Sequence, residues 1–101
     1  MRYITLSLLF SLWLFSQSGE EVFKTYCWGC HHQSATAFGP SFQEIANKRT
    51  KEEIRGMISD PEGVSKILGY SRNAMPKLNI SDKNLTAITN YILSFKSKGK
   101  K

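Results

Sequence analysis

The sequence predicts a small all-α domain of four to five short helices, and three observations carry that prediction. Ser18 with Glu21, Ser41 with Glu44 and Thr50 with Glu53 have the spacing of capping boxes, in which two side chains close the first turn of a helix reciprocally. Leu85, Ile88, Ile92 and Phe95 recur at intervals of three and four, the stripe of an amphipathic helix. No convincing alternating or continuous apolar strand segment precedes Cys27.

Each element follows in order. The first helix begins near residue 19 and carries Val22, Phe23 and Tyr26 on one side. A second begins near 42 and a third near 51, the third offering Ile54, Met57 and Ile58 before Asp60-Pro61 stops it, because proline has no donor and disfavours helix in the residue before it. Ser81 followed by Asp82 marks the start of the last helix, expected to run from Asp82 to Lys96 with Tyr91 beside its apolar stripe. Such a helix needs a partner.

Residues 1–18 form a separate unit. Met1-Arg2 precedes a run from Ile4 to Phe15 in which nine of twelve residues are apolar, shorter than the roughly 20 that span a bilayer. Ser16-Gln17-Ser18 then offers small residues at a cleavage site, so the segment reads as a secretory signal peptide cut after Ser18, with an uncleaved membrane anchor as the alternative. Residues 19–101 remain as one domain, with 13 Lys and Arg against 8 Asp and Glu and a Lys-rich, flexible tail over about 97–101. At that size a side-chain core supplies only a few kcal/mol, and a staple of another kind is expected to complete it.

The staple is written in Cys27-Trp28-Gly29-Cys30-His31, which holds both cysteines of the chain. A disulfide over this spacing closes a small ring that cross-links almost nothing. A thioredoxin-like redox pair requires a βαβ context. Zinc ligation lacks a distant second ligand pair, and adjacent Cys30 and His31 would compete for room. The pattern Cys-x-x-Cys-His is instead the attachment signature of c-type haem: two thiols add to the two vinyl groups, and the following histidine reaches the iron.

With that motif the chain resembles a small class I cytochrome c of the bacterial monohaem type, over nearly all of residues 19–101. Gly39-Pro40, Met75-Pro76 and the helix from Asp82 follow the motif in the family's order. The resemblance implies a fold wrapped around one covalently bound haem c, with the first and last helices crossing at a glycine and an aromatic residue. Gly19 and Phe23, eight and four positions before Cys27, match those places, and Ile88 and Tyr91 match the opposing ones. It also implies that the Pro40 carbonyl accepts the Nδ1 proton of His31, leaving Nε2 for iron.

The other axial ligand decides the function. His32 cannot cross the porphyrin while His31 is bound from the same side. Met57 lies on an apolar helix face, where an unbranched thioether is a good gap-filler. Met75 stands in a polar loop and precedes Pro76, which suits a fixed ligand; a lysine, a water or an open position are the alternatives. The haem-binding residues are therefore expected to be Cys27, Cys30, His31, Pro40 and Met75, with His31 and Met75 on the metal.

Closed axial positions imply a non-enzymatic carrier of one electron between larger redox partners of a respiratory chain, and the signal segment implies export to the periplasm. A peroxidase-like haem enzyme or a sensor with an open sixth position is the alternative. Lys96, Lys98, Lys100 and Lys101 form one basic group and Lys48, Arg49 and Lys51 a second, which suits partners with acidic docking surfaces: an oxidase, a peroxidase, a reductase or a quinol-oxidising complex. A peripheral membrane contact stays open, a nucleic-acid partner is not expected, and a monomer is the expected state. Trp28 stands either against the porphyrin or on the surface, and Tyr70, Arg72 and Asn73 are candidates for bonding the haem propionates or the methionine sulfur.

Overall fold

A computed structural model of the chain describes residues 18–97. The predicted signal segment, except Ser18, and Lys98, Lys100 and Lys101 of the basic tail lie outside the described residues. Among those described there are five helices and no strand, and no helix long and apolar enough to cross a membrane.

Helix α1 (Gly19–Val22) starts at a complete capping box: Ser18 Oγ accepts from Glu21 N–H, and Glu21 Oε1 accepts from Ser18 N–H. It runs directly into a π-helical stretch, Phe23–Cys27, whose widened turn is closed by Trp28 N–H on the Phe23 carbonyl at 2.9 Å. The wider turn buries Phe23 and Cys27 while leaving Tyr26 43% exposed, so Tyr26 does not join Val22 and Phe23 in the core as the helical spacing suggested.

The segment 31–41 is irregular but tethered, with Phe42 N–H on the His32 carbonyl and Gln43 N–H on that of Gln33. Helix α2 (Phe42–Lys48) is capped by Ser41 and α3 (Lys51–Ser59) by a full box at Thr50. Asp60-Pro61 does end α3, but it also begins α4 (Pro61–Ile67), a helix that the sequence reading did not contain. Asp60 accepts from Gly63 N–H, and Pro61 sits at the first helical position, where its missing donor costs nothing. After Gly69, at φ 92°, an irregular stretch leads to α5 (Asp82–Leu93).

Helix α5 stops short of the expected Lys96. Ser94 turns its hydroxyl onto the Tyr91 carbonyl, and Phe95 and Lys96 make i to i−3 bonds that tighten the chain out of the α-helix. This 3₁₀-type turn still delivers Phe95 to the core edge. Ser97, expected in the flexible tail, is held by two hydrogen bonds with Asn47 of α2.

Apolar faces of α1, α2, α3 and α5 meet in one core of Val22, Phe23, Phe42, Ala46, Ile54, Ile58, Ile88 and Ile92, with Cys27 at its edge. Helices α1 and α5 cross closely at Gly19, where a Cβ would come within 2.5 Å of the Ala87 carbonyl oxygen and collide with Tyr91. Only a residue without a side chain lets the two backbones approach so far. Phe42 links the crossing to the rest of the core, packing edge-on against Phe23 at 5.1 Å and Tyr91 at 6.2 Å. Arg55 ties α3 to α5 through Thr86 and Asp82.

Candidate haem site

The wide turn ending α1 delivers Cys27 to a buried position and leaves Cys30 exposed one turn on. The Cys27 carbonyl accepts from the N–H groups of both Cys30 and His31, which winds the motif into a compact turn. Burial, and secondarily the neighbouring Cys30 thiol, pushes the Cys27 thiol up to about 11. Redox-active Cys-x-x-Cys pairs need the opposite shift. Among the described residues, moreover, no cluster of three or more His, Cys, Asp or Glu side chains is poised to hold a metal ion.

His31 Nδ1 lies 2.7 Å from the Pro40 carbonyl oxygen. A carbonyl only accepts, so Nδ1 carries the hydrogen, and in the neutral ring Nε2 keeps its lone pair. Gly39 permits this arrangement, because a Cβ there would lie 2.6 Å from His31 Cε1, and Phe42 stacks on the imidazole with centroids 5.7 Å apart. The ring is thus held by its bond and by both neighbours.

These groups border a predominantly apolar cavity of about 310 Å³. The five expected site residues, Cys27, Cys30, His31, Pro40 and Met75, all line it. Ile54 and Ile58 of α3, Leu78 of the 71–81 stretch and Ile92 of α5 supply further apolar wall.

Met75 is half-buried against the core and held through its backbone by Asn73. Asn73 Oδ1 accepts from Met75 N–H at 3.1 Å while Asn73 Nδ2 donates to the Met75 carbonyl at 2.9 Å. Asn73 therefore serves the chain next to it rather than the methionine sulfur. The sequence signal for this turn is the Asn two residues before Met75, a residue type that commonly closes an Asx turn. Met57 lines the same cavity, so its place is the site wall rather than the closed core. Trp28 is 61% exposed and does not line the cavity. The second basic group is divided: Lys48 reaches Glu44 at 4.0 Å, whereas Arg49 turns toward Tyr70 and the cavity.

A family model for cytochrome c matches residues 16–96. The chain belongs to the cytochrome c family. Two solved structures show the same fold: a cytochrome c from Rhodothermus marinus, 24% identical with a TM-score of 0.64 over 76% of this chain and 72% of that one, and a cytochrome c domain from Pseudomonas putida, 23% identical with a TM-score of 0.61 over 76% and 86%. No curated protein sequence matches the chain. As a cytochrome c it carries covalently bound haem c with its iron and serves haem-based electron transfer with redox partners. The walls fit that group: apolar side chains for the porphyrin faces, two thiols in one turn, an unprotonated imidazole nitrogen and a thioether.

Proposed function

We propose that this cytochrome c is an exported carrier of single electrons whose iron is held by His31 Nε2 and the Met75 sulfur. The observation that carries the reading is that both side chains line one cavity and that each is fixed from behind, His31 by the Pro40 carbonyl and Met75 by the paired bonds of Asn73. Haem bound in this way supplies a ferric/ferrous couple whose potential a thioether ligand raises. Cys27 and Cys30 anchor the cofactor, while α3 and the Met75 stretch exclude water. Side chains held in the same place in both oxidation states keep reorganisation small, which suits transfer between larger respiratory partners with acidic surfaces.

Met57, on the same wall, is the competitor for the iron. Carbon monoxide added to the reduced holoprotein should bind slowly and to a small extent. Met75→Ala should bind it rapidly with the haem still attached, while Met57→Ala should behave as the parent. Rapid binding by the parent would replace the carrier with an open-site haem enzyme or sensor, and opening by Met57→Ala alone would reassign the ligand.

Export through residues 1–18 and residence in the periplasm belong to the same proposal, with a monomer as the working form. Ser18 caps α1, so a cut directly after it removes the cap at a cost of about 1 kcal/mol. Sequencing the N-terminus of the exported holoprotein should find Gly19 first. A chain still beginning at Met1 would make the segment an anchor.

A further inference from the structure

Two asparagines of the chain open the tripeptide Asn-x-Ser/Thr with a residue other than proline in the middle: Asn79-Ile80-Ser81 and Asn84-Leu85-Thr86. In an exported protein this tripeptide is the acceptor sequence for an N-linked glycan. It is short enough to recur by chance, so the fold decides whether either copy can be read. A transferase has to reach two groups at once, the asparagine amide that takes the sugar and the hydroxyl two residues on.

At Asn79 both groups are presented together. The stretch from Ser71 to Ser81 is irregular, and Ser81 has extended backbone at φ −68° and ψ 160°. Along an extended chain successive side chains point to opposite sides, so residues two apart share a side. Burial follows that alternation: Leu78 and Ile80 are half-buried and pack against the core, whereas Asn79 and Ser81 are exposed. Leu78 lines the haem cavity, which places Asn79 and Ser81 on the outer side of the stretch. Ser81 Oγ accepts from Asn84 N–H at 3.1 Å and keeps its own hydrogen to donate. Among the described residues no hydrogen bond holds the Asn79 side chain, so a sugar added at its Nδ2 displaces no contact.

At Asn84 the same two groups are separated. Asn84 and Thr86 lie near the start of α5, where residues two apart are about 200° from one another around the helix. Asn84 is half-buried, and Thr86 Oγ1 accepts from Arg55 at 3.0 Å while the other Arg55 nitrogen holds Asp82 at 3.1 Å. Reading this copy requires unwinding the start of α5 and giving up its tie to α3.

We propose that Asn79 is the attachment site of an N-linked oligosaccharide, added to the folded, exported protein while Asn84 stays bare. The donor class is an oligosaccharide joined through pyrophosphate to a membrane polyprenol. Asn79 Nδ2 attacks C1 of the first sugar: the C–N bond forms, the C1–O bond to phosphate breaks, polyprenyl pyrophosphate leaves, and the amide gives up one proton to a basic group of the transferase. The inference rests on the export proposed above, because such donors are used on chains that have crossed the membrane. A glycan is bulky and solubilising, and here it projects from the side turned away from the cavity.

The test is the intact mass of the holoprotein purified from its natural host, followed by peptide mapping with a fragmentation that keeps sugar on its residue. The parent should exceed the mass of polypeptide plus haem by a whole number of sugar residues, all placed on Asn79. Asn79→Gln should lose the whole added mass. Ser81→Asp should lose it as well, since aspartate keeps the cap of α5 but removes the hydroxyl, whereas Ser81→Thr should retain it. Asn84→Gln should be modified as the parent is. A parent with the mass of polypeptide plus haem alone, or with sugar on Asn84, would overturn the site. An unmodified chain beginning at Gly19 would sink the glycan and leave export standing, while a chain beginning at Met1 with sugar on Asn79 would keep the glycan and refute the cleavage.

Discussion

The α1–α5 crossing and the wall around Met75 are stabilised in different ways. At the crossing, protein meets protein: Gly19 lies on Ala87 and Tyr91, Phe23 is 1% exposed, and the fully buried Thr89 satisfies its hydroxyl on the Leu85 carbonyl. Around Met75 the chain is irregular from Ser71 to Ser81, its position depends on a few side-chain-to-backbone bonds, and its apolar groups face a cavity. Phe42 belongs to both regions, touching Phe23 and Tyr91 on one side and the imidazole of His31 on the other. The comparison shows a small chain that closes half of its core with its own side chains and shapes the other half for a flat apolar cofactor.

The largest effect should come from cutting the covalent link between the halves. With Cys27 and Cys30 both replaced by alanine, the pigment should wash out under acid-acetone extraction, and most of the helical circular dichroism should go with it, because a mature chain this small has little core to spare. Retention of full helicity by the colourless double variant would show that the crossing folds alone and that the division is uneven in its favour.

What was legible in the sequence follows the same division. The starts of α1, α2, α3 and α5 were readable because each depends on a side chain bonding a backbone group three residues away, as Ser18, Ser41, Thr50 and Ser81 do. Helix α4 was not, because Asp60-Pro61 has two local meanings, a stop for α3 and a capped start for α4, and the residues alone announce the stop more strongly. No pattern near Phe23–Cys27 announces a π-helical turn, which reflects the packing of Phe23 and Cys27 against distant elements. The motif residues and Met75, which the fold brings to one cavity, stand out in the sequence by their chemistry. The partnership of Arg49 with Tyr70 was not legible, because a contact 21 residues long leaves no periodic trace.

The next effect is confined to the crossing. Gly19→Ala places a methyl against the Ala87 carbonyl and Tyr91, and its overpacking should cost about 1–3 kcal/mol, less whatever alanine regains in helix propensity. The melting temperature of the holoprotein should fall by about 4–8 °C per kcal/mol, with the visible spectrum unchanged. A spectral change accompanying the fall in melting temperature would mean that the crossing and the cofactor wall are one cooperative unit.

The smallest effect tests the other region by the opposite signature. Asn73→Ala removes both bonds to the Met75 backbone, and because these are exposed their loss should cost only about 1 kcal/mol. Such a loss in a stretch tied down by few contacts appears as local opening rather than as lower global stability. Carbon monoxide binding to the reduced variant should therefore increase about fivefold, with the melting temperature almost unmoved. A matching fall in melting temperature, with ligand binding unchanged, would mean that Asn73 supports the fold as a whole and that something other than its bonds keeps Met75 in place.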